Sequence, residues 1–192
     1  MAPVPAIQWM GKQKTLDPSA IELLVSLLGD ERLGERACDA LRSGAFPAAV
    51  DPLIKLLNEK ASEQATIRGL KVLETLGCKA DKATPELLRM CRDDRIRVRF
   101  YALEALTSAA TDNAKAVSAL KLALRDASPQ VRGGAVACLG RKGADAREAV
   151  PDLTQVFSGN ERHQFAYAPD AWGERPLAVA VALAFGKIGP AA

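Results

Sequence analysis

The strongest constraint on this chain is that it repeats itself. Val131-Arg132 is followed by Ala135, Leu139, Gly143, Ala146, Val150 and Leu153. Val98-Arg99, one period earlier, is followed at the same offsets by Ala102, Leu106, Ala110, Asn113, Val117 and Leu120. Ile67-Arg68 lies slightly less than a period before that, and Leu33 with Ala37, Leu41 and Ala45 opens another copy. Leu177, Val181, Phe185 and Gly189 make the last, with Ala178 in the arginine's place. Self-similarity of this kind marks architectures in which each copy is one supersecondary unit that buries its apolar face only by stacking on its neighbours.

Each copy reads as two helices. The first carries apolar residues at helical spacing, as in Ile21, Leu24, Leu27 and Leu28, or Leu153, Val156 and Phe157. A short polar turn follows, such as Asp93-Asp94-Arg95, and then a second helix with small residues on its apolar face. That helix stops at a glycine, Gly77, Gly140 or Gly186, where a left-handed cap is cheap only without a side chain. The composition agrees: 48% hydrophobic but 5% aromatic suits helices packed through Ala and Leu better than a β-sandwich. The expected fold is an all-α solenoid of about five helical hairpins, one domain over 17–192 with a loop insertion at 158–173. Residues 1–16 form an N-terminal extension or cap, with Trp9 and Met10 available to pack on the first hairpin.

The recurring pattern is Pro-x-Leu, Asp eight residues after the proline, Val-Arg, Ala, then Leu-Gly and Gly. Pro85, Asp93, Val98 and Arg99 carry it, and so do Ser118, Asp126, Val131 and Arg132, with serine for proline. Leu139-Gly140 and Gly143 complete that copy. In this the chain resembles the HEAT repeat, in the short bacterial form also seen in phycobilin-lyase-type proteins, over roughly residues 18 to 192. The resemblance implies a right-handed α–α superhelix with the second helices lining a concave side. Exposed there would be some of Glu63, Arg68, Lys71, Glu74, Glu104 and Arg141. Three departures stand out. The second copy has a longer turn, Asn58 to Thr66, and puts Lys71 near the expected alanine. The fifth lacks the Asp/Arg pair and carries the insertion. The chain stops at Gly189-Pro190-Ala191-Ala192, where the family would begin another helix, so the last helix is expected to show a flank met by a partner or by further chain.

Asp30 and Arg36, Asp93 and Arg99, and Asp126 and Arg132 share one spacing. Stacking would set these groups in rows, and a structural ladder through Asp93, Arg99, Asp126 and Arg132 is the preferred reading. Arg89, Arg92, Arg95 and Arg97 form a basic cluster beside Phe100 and Tyr101, the alternative being a surface that grips phosphates and stacks on bases. The best functional candidate is the insertion. It holds three of the nine aromatic residues, Phe165, Tyr167 and Trp172, and the only histidine, His163. Long connections in compact domains are often functional, and aromatics on a rigid scaffold anchor partners. The competing reading folds Phe165 and Trp172 back over the apolar end of the stack. Arg68 and Lys71 on a second helix complete the partner-binding candidates.

Other classes are disfavoured by what is missing. No GxGxxG, Walker-type, HExxH or GxSxG motif occurs, so no cofactor and no metal are expected and the chain is read as non-enzymatic. A Ser158–His163–Asp170 set would share one loop with nothing to orient it. A lyase-like enzyme or enzyme subunit, by way of the phycobilin-lyase resemblance, rests on fold analogy alone. Cys38, Cys78, Cys91 and Cys138 lie far apart, without CxxC spacing, which fits a reduced, cytoplasmic setting. A leader removed from the N-terminus would be compatible too. No stretch approaches the ~20 apolar residues a membrane span needs. A net charge of +3 is too small to argue for nucleic acid by itself. The functional expectation is a scaffold binding a protein or peptide through the concave face and the 158–173 loop.

Overall fold

The computed structural model describes residues 3–158, 164–166 and 174–189, with side chains over 4–156 and 180–189. After α1 (Pro3–Gly11) come five hairpins. They are α2 (Pro18–Ser26) with α3 (Gly34–Gly44), α4 (Val50–Asn58) with α5 (Glu63–Leu76), α6 (Thr84–Met90) with α7 (Ile96–Ala109), α8 (Asn113–Ala123) with α9 (Pro129–Lys142), and α10 (Val150–Ser158) with α11 (Leu177–Ile188). The chain is an all-α solenoid of repeated hairpins, apart from one short ribbon inside the last.

Local chemistry sets the helix ends. Asp17 accepts the Ser19 amide at 2.9 Å with Pro18 following, Ser62 Oγ accepts the Ala65 amide at 3.2 Å, and Asp112 accepts the Lys115 amide at 3.2 Å. Gly77 and Gly143, both at φ 58°, end α5 and α9. Gly140 and Gly186, expected as stops, instead lie within α9 and α11. Gly77 and Gly143 each open a seven-residue 3₁₀ segment, Gly77–Ala83 and Gly143–Ala149, that leads to the next first helix. The longer turn expected at Asn58–Thr66 is shorter than that: α4 runs through Asn58 and the Ser62 cap starts α5 at Glu63.

The second helices stack directly on one another, while successive first helices meet more sparsely. The array therefore curves with α3, α5, α7, α9 and α11 inside. Leu41, Leu70, Leu73, Leu103 and Leu106 on these helices, with Leu24, Leu53, Leu87, Leu120 and Leu153 on the first helices, are wholly buried between the layers. Each such side chain contributes on the order of 2 kcal/mol relative to exposure. The first segment takes a place in this stack too. Helix α1 lies on α3, so close that a Cβ on Gly11 would stand 2.8 Å from Ala40 Cα.

The insertion expected as a loop at 158–173 contains a strand, β1 (Gln164–Ala166), which pairs antiparallel with β2 (Glu174–Pro176), just beyond it, in the register Phe165↔Arg175. Residues 164–166 are thus strand rather than loop.

Candidate binding face

Helices α5, α7 and α9 begin at Glu63, Ile96 and Pro129, evenly spaced along the chain, which fixes the register of the inner face. By that register Arg99 and Arg132 have Thr66 as their counterpart in α5; the Ile67-Arg68 match is out of step with it. The alanine position of α7 and α9, Ala102 and Ala135, falls on Gly69, where a Cβ would meet Leu56 Cδ2 at 3.2 Å, so Lys71 does not stand in for an alanine.

Three inner-face residues come together on α7 and α9. Glu104 is only 7% exposed, and Arg141 pairs with it at 2.5 Å. The same guanidinium donates to Cys138 Sγ at 3.1 Å, and that thiol lies 3.5 Å from Glu104 Oε1. Burial pushes the Cys138 thiol up to about 12. Alongside, Lys71 Nζ of α5 sits 5.0 Å from the centre of the Tyr101 ring, and Phe100 and Tyr101 meet edge to face at 5.3 Å. Glu74 is half-buried on α5. Burial first, and then the neighbouring Glu104 charge, raise its pKa, against the opposing pull of Arg141, Arg42 and Lys71. Arg42 Nε reaches across from α3 to Thr75 Oγ1 at 3.0 Å. The floor is charged and held in place by its own contacts.

The ladder residues tie repeats together. Arg99 donates to both Asp126 oxygens, at 2.8 and 2.9 Å, and to the carbonyls of Asp93 and Asp94. Arg132 donates to the Asp126 and Ala127 carbonyls at 2.8 and 3.2 Å. Asp93 binds Arg95 instead, at 2.8 and 2.9 Å. Asp30, Asp93 and Asp126 each accept the amide two residues on, at 2.8, 2.9 and 2.8 Å, so the acid also fixes its own turn. Arg36 departs from the expected pairing: it donates to the Arg32 carbonyl, not to Asp30.

The remaining candidates are dispersed. Arg68, with 13% of its side chain exposed, bonds the carbonyls of Leu28 and Asp30 and pairs with Glu35 at 3.1 Å. In the basic cluster Arg89 donates to Leu57 O and Asn58 Oδ1 at 2.7 and 2.8 Å, and Arg95 reaches Ala61 O as well as Asp93. Arg92 is exposed and Arg97 half-exposed. His163, Tyr167 and Trp172 lie outside the described residues, as does the Phe165 side chain. Among the described residues no three His, Cys, Asp or Glu side chains gather as metal ligands would, and no helix is long and apolar enough to cross a membrane. Sequence reasoning missed Arg42, Thr75, Ser108 and Lys187, which the register of the second helices would have aligned with Arg141.

Fold and face together define a helical-repeat solenoid with a charged inner surface. No family model matches the chain, and no curated protein matches it in sequence. Solved structures do resemble it. A designed armadillo repeat protein in complex with the peptide (KR)4 is similar at 21% identity, TM-score 0.61, over 97% of this chain and 91% of that one. One engineered protein is similar at 18% identity and TM-score 0.54, over 96% of this chain and 89% of its own. A second is similar at 21% identity and TM-score 0.52, over 90% of this chain and 49% of its own.

Proposed function

We propose that this chain is a HEAT-like scaffold, without enzymatic activity of its own, that binds a protein or peptide through its concave second-helix face. The 158–173 segment, with His163, Phe165, Tyr167 and Trp172, adds anchors at one end, and Lys71 contributes from the floor. The observation that carries this reading is the charged set Lys71, Glu74, Tyr101, Glu104 and Arg141 on three adjacent inner helices. Lys71 against Tyr101 and Glu104 against Arg141 are fixed in pairs, which lowers the ordering cost of meeting an extended ligand. The similar designed armadillo repeat protein is a peptide binder on the same architecture, which supports the proposal. The nucleic-acid alternative is weaker because Arg89 and Arg95 already donate to carbonyl and carboxylate groups of neighbouring turns. A lyase-like role rests on fold analogy alone.

The test is a phage-displayed peptide library selected on the intact chain, with hits re-measured on Tyr101→Ala, Lys71→Ala and a deletion of residues 160–172. Selected peptides should lose roughly tenfold or more in affinity on Tyr101→Ala. A library that yields no binder, or binders indifferent to all three changes, would end the reading.

A further inference from the structure

One row of the inner face has a chemistry of its own. Arg42, Thr75, Ser108 and Arg141 follow one another at one constant interval, and Lys187 continues the row beyond the insertion. Each second helix supplies one of them from its last turn, and all five are exposed. Every member is a hydrogen-bond donor and three are cations; no carboxylate interrupts the row. Cations near helix C-termini are favourable on dipole grounds, which accounts for Arg42, Arg141 and Lys187 taken singly. Thr75 Oγ1 already donates to the Lys71 carbonyl of its own helix at 3.0 Å and accepts from Arg42, so what the dipole leaves unaccounted for is the hydroxyl at Ser108 and the absence of any acid at the register.

The neighbouring charges sharpen the contrast. Glu104 is neutralised by Arg141 and Glu35 by Arg68. Lys71 adds a further cation over Tyr101. Two carboxylates near the row have no hydrogen bond or ion pair among the described residues: exposed Asp39, one turn before Arg42, and half-buried Glu74, whose pKa is raised. Helix layers repeat at ~10 Å and an extended chain advances ~3.3 Å per residue, so every third residue of an extended ligand meets the next helix.

We infer that the ligand of the concave face is an extended acidic peptide, with carboxylate side chains placed against Arg42, Arg141 and Lys187 and a hydroxyl contact between them at Ser108, successive helices meeting about every third residue. The inference rests on the peptide-binding reading of the same face. It assigns this chain a ligand of opposite charge to the (KR)4 peptide of the similar designed protein.

The test is fluorescence anisotropy at low and moderate salt with three labelled probes: dodecaglutamate, a lysine–arginine dodecapeptide and an oligothymidylate of similar length. Dodecaglutamate should bind at least about tenfold tighter than the basic peptide. The Arg42→Glu/Lys187→Glu double variant, changed only at exposed positions and checked for native helicity, should lose about tenfold. Glu74→Gln should bind the acidic peptide more tightly. Failure of both peptides would count against the concave-face reading itself. Binding of the basic peptide as tightly as the acidic one would leave that reading standing and overturn this inference. Preferential, strongly salt-dependent capture of the oligothymidylate, or a double variant that binds dodecaglutamate normally, would overturn it as well.

Discussion

The guanidinium of Arg99 on α7 holds both carboxylate oxygens of Asp126, in the turn between α8 and α9, from Nε at 2.8 Å and a terminal nitrogen at 2.9 Å. Its other terminal nitrogen bonds the carbonyls of Asp93 and Asp94, in the turn that leads into its own helix, at 2.9 and 3.1 Å. One side chain thus closes two turns and joins two repeats, with only 15% of its surface and 13% of its partner's exposed.

Removing either partner should therefore cost more than a surface ion pair. Arg99→Ala and Asp126→Ala are each expected to destabilise the chain by about 2–3 kcal/mol, because a half-buried charge and turn carbonyls lose their partners. Arg99→Lys should recover only part of this, since an ammonium cannot make the two-pronged contact. Urea midpoints of the single and double variants check it: the double loss should fall well short of the sum. Additive losses would mean the contact carries no coupling.

Gly134 sits where α9 crosses α7, and a Cβ there would stand 2.8 Å from Cε2 and 2.9 Å from Cδ2 of the buried Phe100. Gly134→Ala gains about 1 kcal/mol of helix propensity, but overpacking typically costs about 1–3 kcal/mol, and the Tyr101 edge contact holds the ring. A net loss of roughly 1 kcal/mol is expected, relieved when Phe100→Leu is added. Gly186, in α11, has no atom of the described residues within 4 Å of its place for a Cβ, so Gly186→Ala should instead stabilise by about 0.5 kcal/mol. Thermal melts of the three variants separate the effects, and a stabilising Gly134→Ala would show that α7 and α9 part easily.

Glu74 gives the fold a pH dependence of definite sign. Its folded pKa is raised above the unfolded value by burial and by Glu104. Between those two values the native state holds more protons than the unfolded chain, so this group's contribution is fully present below the unfolded pKa and is lost as pH rises through the folded one. Glu74→Gln should thus be more stable than the parent at neutral pH, with the difference shrinking towards about pH 4. Urea denaturation of both proteins between about pH 4 and pH 8 measures this; a constant difference would place the charge of Glu74 in effective contact with solvent.

The repeat was legible because the residues between the helix layers keep both identity and spacing: Val98 and Val131, Ala102 and Ala135, Leu106 and Leu139 are all buried. The register of α5 was misread where a dipeptide match, Ile67-Arg68, outweighed the cap at Ser62 that starts the helix. Arg68 has an arginine's chemistry at a different position, so it bonds back to Leu28 and Glu35. Helix α1 was not legible because Pro3 and Pro5 look like breakers, although proline is tolerated in a first turn. The row from Arg42 to Lys187 was hidden for another reason. Residue type varies along it while the capacity to donate persists, and a comparison by residue identity passes over that.

The cysteines offer a last check on how tightly the layers close. Cys38 lies buried beneath α5, its thiol 3.6 Å from the Arg68 carbonyl, and burial pushes it up to about 11. Burial likewise pushes Cys91 and Cys138 up to about 12. Cys78, just beyond the α5 cap at Gly77, is exposed. The thiolate is the reactive form, so Cys38 and Cys138 are protected both by access and by ionisation, and Cys91, partly accessible, chiefly by ionisation. Under native conditions a thiol reagent should label Cys78 alone within minutes, and all four cysteines in urea. Cys78→Ser should leave native labelling near zero. Slow reaction of the remaining three should then follow opening of the stack, so Arg99→Ala ought to speed labelling of Cys91 and Cys138, which flank the Arg99–Asp126 contact along the chain, more than that of Cys38. Equal acceleration at all three sites would mean that the solenoid opens as one unit and the Arg99–Asp126 contact sets no local boundary.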